Sequence, residues 1–482
     1  MIHIQKNVII SFCSNALKIY KRKGNNFMST GILFWGFLIV YGIIMMFLTP
    51  KVTTLGGFFR GEDDSGKEAS AFMLTASIFI SWIFAKSVTN AANLGATYGI
   101  VGGVAYATYW LCIPLAGLAI YRLRKKYAAT GLVSFLTDNY GKGAAIAFSA
   151  AILIRLFNEV WSNTSVVGGY YGASGSRAFV FSAVIFTIIT LVYSMKGGLR
   201  SSIVTDTIQA IIFVFFVGWV VGLVLPKHSV GELLATGNWK MDAGVDMLLV
   251  SALQIFSYPF HDPVLTDRGF ISNEKVMLKA FFVSGILGFV AIVVFSFIGI
   301  HSSLAGIPLS DNVPADLGKT LGTTAYFLMI VVMVSAAGST LDSTFSSLAK
   351  LSAYDLPRMK GIELGDKSRT IGMIVMFVIA IVGNLPMIFG TDILKATTIS
   401  GTMVIGLAPV FLLHGFVKPT KLGFHFSFWT GIFLGLAMTL GIIPSYFGIG
   451  AGKNALLLGV NFYGLIICTI GYLLPGLIFK DK

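Results

Sequence analysis

Apolar segments of about 20 residues, the length that crosses ~30 Å of hydrocarbon, recur along the whole chain. The 482 residues are 55% hydrophobic and only 12% charged, with a mean hydropathy of +0.82. Backbone polar groups in hydrocarbon must be satisfied within the protein, and consecutive apolar segments do this as helices. The sequence therefore predicts an all-α, multi-pass membrane protein with about thirteen transmembrane helices.

Short connections separate the thirteen segments, so no soluble domain is predicted. We expect one transporter domain over 28–482, with residues 1–27 as a doubtful N-terminal extension and Met28 as the true start. The approximate segment bounds are 31–49, 71–95, 99–122, 143–168, 178–195, 201–225, 246–262, 277–301, 321–349, 369–389, 392–415, 424–446 and 456–478.

The net charge of +14 lies mainly in short connections between apolar segments. This distribution is typical of topology determinants in a lipid bilayer and does not favour a nucleic-acid partner. The basic connections include KGGLR, LPRMKG and KPTK, whereas the connection 302–319 has two aspartates against one lysine. The positive-inside rule then places the start of the first span outside and the C-terminus in the cytoplasm, in a cell (inner) membrane.

One segment, SAAGSTLDSTFSS at 335–347, carries unusual polarity for a membrane span. Helical geometry places most of its hydroxyl residues on one broad side. Ala336, Ser339 and Thr340 offer a carbonyl and two hydroxyl oxygens across one turn, and such hard, neutral ligands suit an alkali cation. The alternative is that these hydroxyls bond to their own helix or pack as small residues, which is their commoner fate.

Other polar residues lie within apolar segments, where charge is a functional-site hypothesis by default. Lys86 and Asp342 each fit either a functional site or one half of a structural ion pair. One option is that they pair with each other. Arg155 and Glu159 are one helical turn apart, and this spacing favours a structural pair.

Three motifs resemble the sodium:solute symporter family, which includes proline, urea and glucose carriers. MKGGLRSSIVTDTIQAIIF at 195–213 resembles the family's GGL-[RK]-x-x-x-x-T-D-x-x-Q signature. The stretch at 335–347 resembles its sodium-site helix, and TASIFISWIFAKSVTNAANLGATYGIVGG at 75–103 resembles its first core helix.

The resemblance implies a leucine-transporter-like core of two inverted five-helix repeats, here 71–225 and 246–415, with broken first helices and two extra helices at 424–478. It assigns sodium ligands to Ala336, Ser339, Thr340, Ile80 and Ile83. Asp206 would assist the cation, and Asp342 departs from the family pattern as a further cation-assisting candidate. The candidates for the solute pocket are Trp82, Lys86, Asn158, Gln254, Tyr258 and Thr398.

The sequence thus predicts sodium-coupled symport of a small polar solute by alternating access, without a cofactor. Proton coupling or ion-independent transport on the same fold is the alternative, because Lys86 or Asp342 would titrate. A membrane-embedded enzyme is disfavoured, since no HExxH, GxSxG or paired Cys/His cluster occurs and the three cysteines lie far apart. A sensor would need a signalling domain.

Reporter fusions test the predicted orientation. A reporter that works only in the cytoplasm should be active after Lys482 and inactive in the connection 302–319, because the basic connections stay inside. An exported C-terminus would contradict this topology.

Overall fold

The computed structural model describes residues 30–389 and 399–478, and regular structure in these ranges is helical apart from one isolated bridge between His414 and Val417. The longer helices are α1 (Thr30–Leu48), α3 (Ala71–Trp82), α4 (Ala85–Tyr98), α5 (Ile100–Ala107), α6 (Cys112–Tyr127), α7 (Leu132–Tyr140), α8 (Lys142–Gly169), α9 (Arg177–Val224), α11 (Val245–Gln254), α13 (Glu274–Leu304), α14 (Val313–Leu321), α15 (Thr323–Lys350), α17 (Lys367–Val382), α19 (Lys421–Thr439) and α20 (Ala455–Ile478). The short ones are α2 (Leu55–Arg60), α10 (Val230–Leu234), α12 (Pro263–Thr266), α16 (Leu356–Met359) and α18 (Leu407–Leu412).

The helix lengths account for about thirteen membrane-crossing segments. Within the described residues, nine helices are long and apolar enough to cross a membrane, and the bent pair α3–α4 makes a tenth. The 48 residues of α9 form two helical parts that meet at a kink at Gly198, so α9 provides two crossings. Shorter helices within 245–270 and 399–412 form the remaining two segments, which agrees with the prediction.

The predicted spans 178–195 and 201–225 correspond to the two helical parts of α9, which meet at a kink and not at a loop. Its axis changes direction at Gly198, whose φ of 55° and ψ of −135° are not helical. A Cβ at Gly198 would lie 2.4 Å from the carbonyl oxygen of Phe58 in α2. The KGGLR motif is therefore a glycine kink against α2, with the backbone too close for any side chain.

The first core segment is broken, as the family resemblance implies. Ser70 caps its start by accepting a hydrogen bond from the Met73 N–H. The α-helical geometry stops at Ile83, and α4 resumes after Phe84 at an angle of 57°. The break leaves backbone carbonyls near its ends available to other partners.

The segment 245–270 is broken in a similar way. Helix α11 ends at Gln254, a 3₁₀ turn covers Tyr258–His261, and α12 follows. The Asp262 carboxylate caps α12 by accepting a hydrogen bond from the Val264 N–H. The Trp82 and Tyr258 rings lie 6.0 Å apart, so the two breaks face each other.

Helix α15 lies in the centre of the protein. Every residue from Met333 to Ala349 is buried, so its polar side meets other helices and not lipid. Helix α1 lies outside this core and buries a single stripe at helical spacing, formed by Phe34, Leu38, Tyr41 and Met45.

Replacing Gly198 by Ala should destabilise the protein by at least about 2 kcal/mol. The new methyl group would overlap backbone atoms of α2, and the positive φ at this position is permitted for glycine but strained for alanine. Thermal unfolding in detergent measures this. Gly218→Ala in the same helix is the control, since a Cβ there meets nothing within 4 Å. Equal stability of the two variants would contradict the interpretation of the kink.

Candidate ion and solute site

The hydroxyl residues of α15 meet the break in α3–α4. The Thr340 Oγ1 donates to the Ser81 carbonyl at 3.2 Å, an alternative acceptor being the Ala336 carbonyl, also at 3.2 Å. Ser81, Ala336, Ser339 and Thr340 are all fully buried. Hydroxyl and carbonyl oxygens from two helices therefore lie together at one interior point.

The predicted carbonyl ligands on the first core helix lie next to this point. The Ile80 carbonyl accepts the Ile83 N–H at 3.0 Å, and the carbonyl that Thr340 contacts belongs to Ser81, one residue further on. The assignment of Ile80 and Ile83 as ligands stays a prediction.

Asp206 is the point at which the surrounding helices converge. One carboxylate oxygen accepts the Ser339 hydroxyl at 2.5 Å. The other accepts the Ser77 hydroxyl at 2.5 Å, the Ser81 hydroxyl at 3.2 Å and an Arg268 N–H at 2.9 Å. The carboxylate thus joins α3, α9, α15 and the segment after α12.

Arg268 is a buried residue of this candidate site that the sequence reasoning missed. Its side chain is fully buried and donates to the Ser77 hydroxyl at 2.7 Å and to the Ser343 hydroxyl at 2.7 Å, besides Asp206. The available signal was a lone arginine in HDPVLTDRG, directly after an apolar segment.

Asp342, by contrast, accepts side-chain hydrogen bonds only from hydroxyl groups among the described residues. Thr205 donates to its carboxylate at 2.8 Å, and Ser343 does so at 3.4 Å. Within the described ranges Asp342 takes part in no ion pair. The alternative in which Lys86 pairs with Asp342 is wrong, because Lys86 pairs with Glu159.

Lys86 belongs to a second buried cluster. Its ammonium lies 2.6 Å from Glu159 and donates to Ser162 at 3.1 Å. Glu159 also pairs with Arg155 one turn away, as predicted, and Arg155 pairs with Asp262 at 2.9 Å. We call Lys86, Glu159, Arg155 and Asp262 the charged quartet; it connects α4, α8 and the residue that caps α12.

Aromatic side chains line the quartet at the helix breaks. The Arg155 guanidinium lies 5.6 Å from the centre of the Phe84 ring and 5.2 Å from that of Tyr258. Trp82 packs against the same two rings, at 5.7 and 6.0 Å. Trp82, Lys86 and Tyr258, predicted for the solute pocket, therefore lie together.

The other predicted pocket residues differ in position. Gln254 is engaged elsewhere: it accepts the Tyr109 hydroxyl at 2.6 Å and donates to Asn461 in α20 at 3.1 Å. Asn158 is only partly buried. Thr398 lies outside the described residues.

A tyrosine from α1 also reaches α15. The Tyr41 hydroxyl accepts the Gln209 side-chain N–H at 2.8 Å and lies 3.3 Å from the Tyr193 hydroxyl, which donates to the Gly338 carbonyl. A Cβ at Gly338 would lie 1.9 Å from the Tyr41 oxygen. Gly338 therefore makes room for Tyr41 directly before Ser339.

The chain is similar to several known transporters. No family model matches the chain. It is similar to the urea active transporter of Saccharomyces cerevisiae, with 20% identity over 391 residues that cover 69% of this chain and 51% of the relative. It is also similar to the sodium/pantothenate symporter of Escherichia coli, with 23% identity over 302 residues that cover 61% of this chain and 57% of the relative.

The chain thus spans about half the length of the curated relatives it matches. Among solved structures, a Na⁺-coupled sialic acid symporter in a substrate-bound, outward-open state matches with a TM-score of 0.73 and 14% identity, over 94% of this chain and 98% of that one. The chain is an all-α membrane protein with the leucine-transporter-like fold, and it resembles sodium:solute symporters. These relatives are named as transporters, the class of protein that the sequence predicts for this chain.

Gly338→Ala should displace α15 beside Ser339, because the added methyl group overlaps the Tyr41 hydroxyl. We expect a loss of stability of about 1–3 kcal/mol, the usual range for an overpacked core. Thermal unfolding measures the change.

Tyr41→Phe supplies the matched test, since it removes the overlapping oxygen. The double variant with Gly338→Ala should be more stable than Gly338→Ala alone, although Tyr41→Phe itself costs about 1 kcal/mol through the lost hydrogen bond. Additive losses would show that Tyr41 does not limit the space at Gly338.

Proposed function

We propose that this chain is a sodium-coupled symporter that moves a small polar solute across a membrane by alternating access. The observation that carries the proposal is the position of the Thr340 hydroxyl between the Ser81 and Ala336 carbonyls at the break of α3–α4, with the neighbouring Ser339 hydroxyl on Asp206. One relative is named a sodium/pantothenate symporter and another a urea active transporter, which supports transport of a small polar solute.

The donor set suits sodium. Carbonyl and hydroxyl oxygens are hard ligands without charge, so they bind an alkali ion and still release it. Asp206 lies one hydrogen bond away through Ser339 and supplies negative potential. Sodium binding would then displace the Thr340 hydroxyl from its present acceptors.

Lys86 does not oppose this assignment. A free ammonium ~4 Å from sodium would repel it by about 4 kcal/mol at an effective dielectric near 20. The ion pair with Glu159 at 2.6 Å offsets that charge locally.

Coupling follows from the position of the ion site between α3–α4 and α15. A cation that joins these elements stabilises one arrangement of them, and the solute that prefers this arrangement then binds more tightly. The solute would lie at the two helix breaks, beside Trp82, Lys86 and Tyr258. We further propose that the repeats are 71–225 and 246–415, and that the C-terminus faces the cytoplasm of an inner membrane.

Proton coupling is the second candidate, and Asp342 is the observation that favours it. This carboxylate is fully buried, and within the described ranges only hydroxyl groups contact its oxygens. An unpaired carboxylate in a low dielectric binds a proton or a metal cation. Uptake driven by a pH gradient in sodium-free buffer would favour this candidate.

Ser339→Ala combined with Thr340→Ala tests the sodium site. Purified protein in proteoliposomes should show a rise of at least about tenfold in the sodium concentration for half-maximal uptake, because two charge-assisted contacts of about 1 kcal/mol or more are lost. A solute panel with and without a sodium gradient supplies the transported compound.

Ser335→Ala is the control, since its hydroxyl donates to the Val331 carbonyl of its own helix at 2.7 Å. Its sodium dependence should match that of the wild type. If the double variant kept wild-type sodium dependence, the proposed ion site would be wrong.

A further inference from the structure

The buried charges at the two helix breaks divide into two groups. The charged quartet contains two cations and two carboxylates, so its formal charge is zero. The second group, Asp206, Asp342 and Arg268, contains two carboxylates and one cation, so its formal charge is minus one. We call it the anionic trio.

The other buried ionisable side chains are left out of these two charge counts because of where they lie and what they contact. Asp246 is buried but lies at the start of α11, where its carboxylate accepts the N–H groups of Met247 and Asn454. Lys350, Asp267 and Asp355 form a cluster that reaches the surface, with exposed side-chain fractions of 12–22%. His261 lies between the Tyr258 carbonyl and Ser400, which a neutral imidazole satisfies with one donor and one acceptor.

An unbalanced charge inside a membrane protein costs several kcal/mol, and a counterion removes that cost. One monovalent cation beside Ser339 neutralises the anionic trio, whose Asp206 already accepts the Ser339 hydroxyl. A second cation would create a charge imbalance of the opposite sign.

The same reasoning constrains the solute. The quartet is already neutral, so a solute with net charge would leave an uncompensated charge between its ion pairs. Two buried donors, the Trp82 Nε1 and the Arg155 Nε, have no hydrogen-bond partner in the described part of the chain. Both side chains pack against the rings of Phe84 and Tyr258 and therefore belong to one place.

We infer that the transported solute is net-neutral, presents a carbonyl or similar acceptor oxygen to Trp82 and Arg155, and moves with one monovalent cation. This inference rests on the proposed function and adds to it the solute class and the ion count. Each transport cycle then carries one positive charge across the membrane.

The ion count is measured first on purified wild-type protein, without any solute. Binding of ²²Na⁺ should saturate at one ion per chain. Asp342→Asn keeps an acceptor for the Thr205 hydroxyl but removes the excess charge, so sodium affinity should fall at least about tenfold. Asp246→Asn removes a buried carboxylate outside the trio and should leave sodium affinity unchanged.

The solute class is measured next by sodium-dependent thermal stabilisation with matched amides, ureides, carboxylates and amines. The strongest ligand at pH 7 should be net-neutral. In proteoliposomes at zero membrane potential, a tenfold sodium gradient should be balanced by an opposing tenfold gradient of that ligand if one ion moves with each solute molecule. If two ions move, the balancing gradient of the ligand would be hundredfold.

The outcomes separate the two proposals. Absence of saturable sodium binding by the wild type would overturn the proposed function together with this inference. Sodium binding with two ions per chain, unchanged affinity in Asp342→Asn or a net-charged strongest ligand would overturn this inference alone.

Discussion

The Asp206 carboxylate is the interaction on which the arrangement of the core depends. A carboxylate in the interior of a membrane protein requires partners, and Asp206 obtains them from three other core segments: Ser77 and Ser81, Arg268, and Ser339. These contacts hold the first broken helix, the second broken segment and α15 around one point. Any movement of α15 relative to the breaks must exchange hydrogen bonds at Asp206, so the hydrogen bonding of Asp206 and the position of α15 are physically linked.

Sequence reasoning succeeded where the signal is local. Hydropathy predicts about thirteen crossings, because each segment must span the same thickness of hydrocarbon. The spacing of Arg155 and Glu159 predicts their ion pair, since residues four apart share a helix face. The polar pattern around Ser339 and Thr340 places two hydroxyls on one side of α15, and the structure brings both to the break in α3–α4.

Long-range partners could not be obtained in this way. Lys86 and Glu159 are 73 residues apart and Asp206 and Arg268 are 62 apart, so only tertiary packing decides these pairs. Hydropathy predicts the division at KGGLR, but not that the two spans meet at a glycine kink without a loop between them. The contact of Tyr41 with Gly338 joins helices that hydropathy treats as independent.

A crystal structure of the purified protein grown with Tl⁺ in place of Na⁺ would locate the bound cation, because thallium is identified by its anomalous scattering. We expect an anomalous peak among the carbonyls of Ser81 and Ala336 and the hydroxyls of Ser339 and Thr340, with Asp206 next to it. A strongest peak elsewhere in the core, with the Thr340 hydroxyl still bonded to these carbonyls, would show that the proposed ion site is wrong.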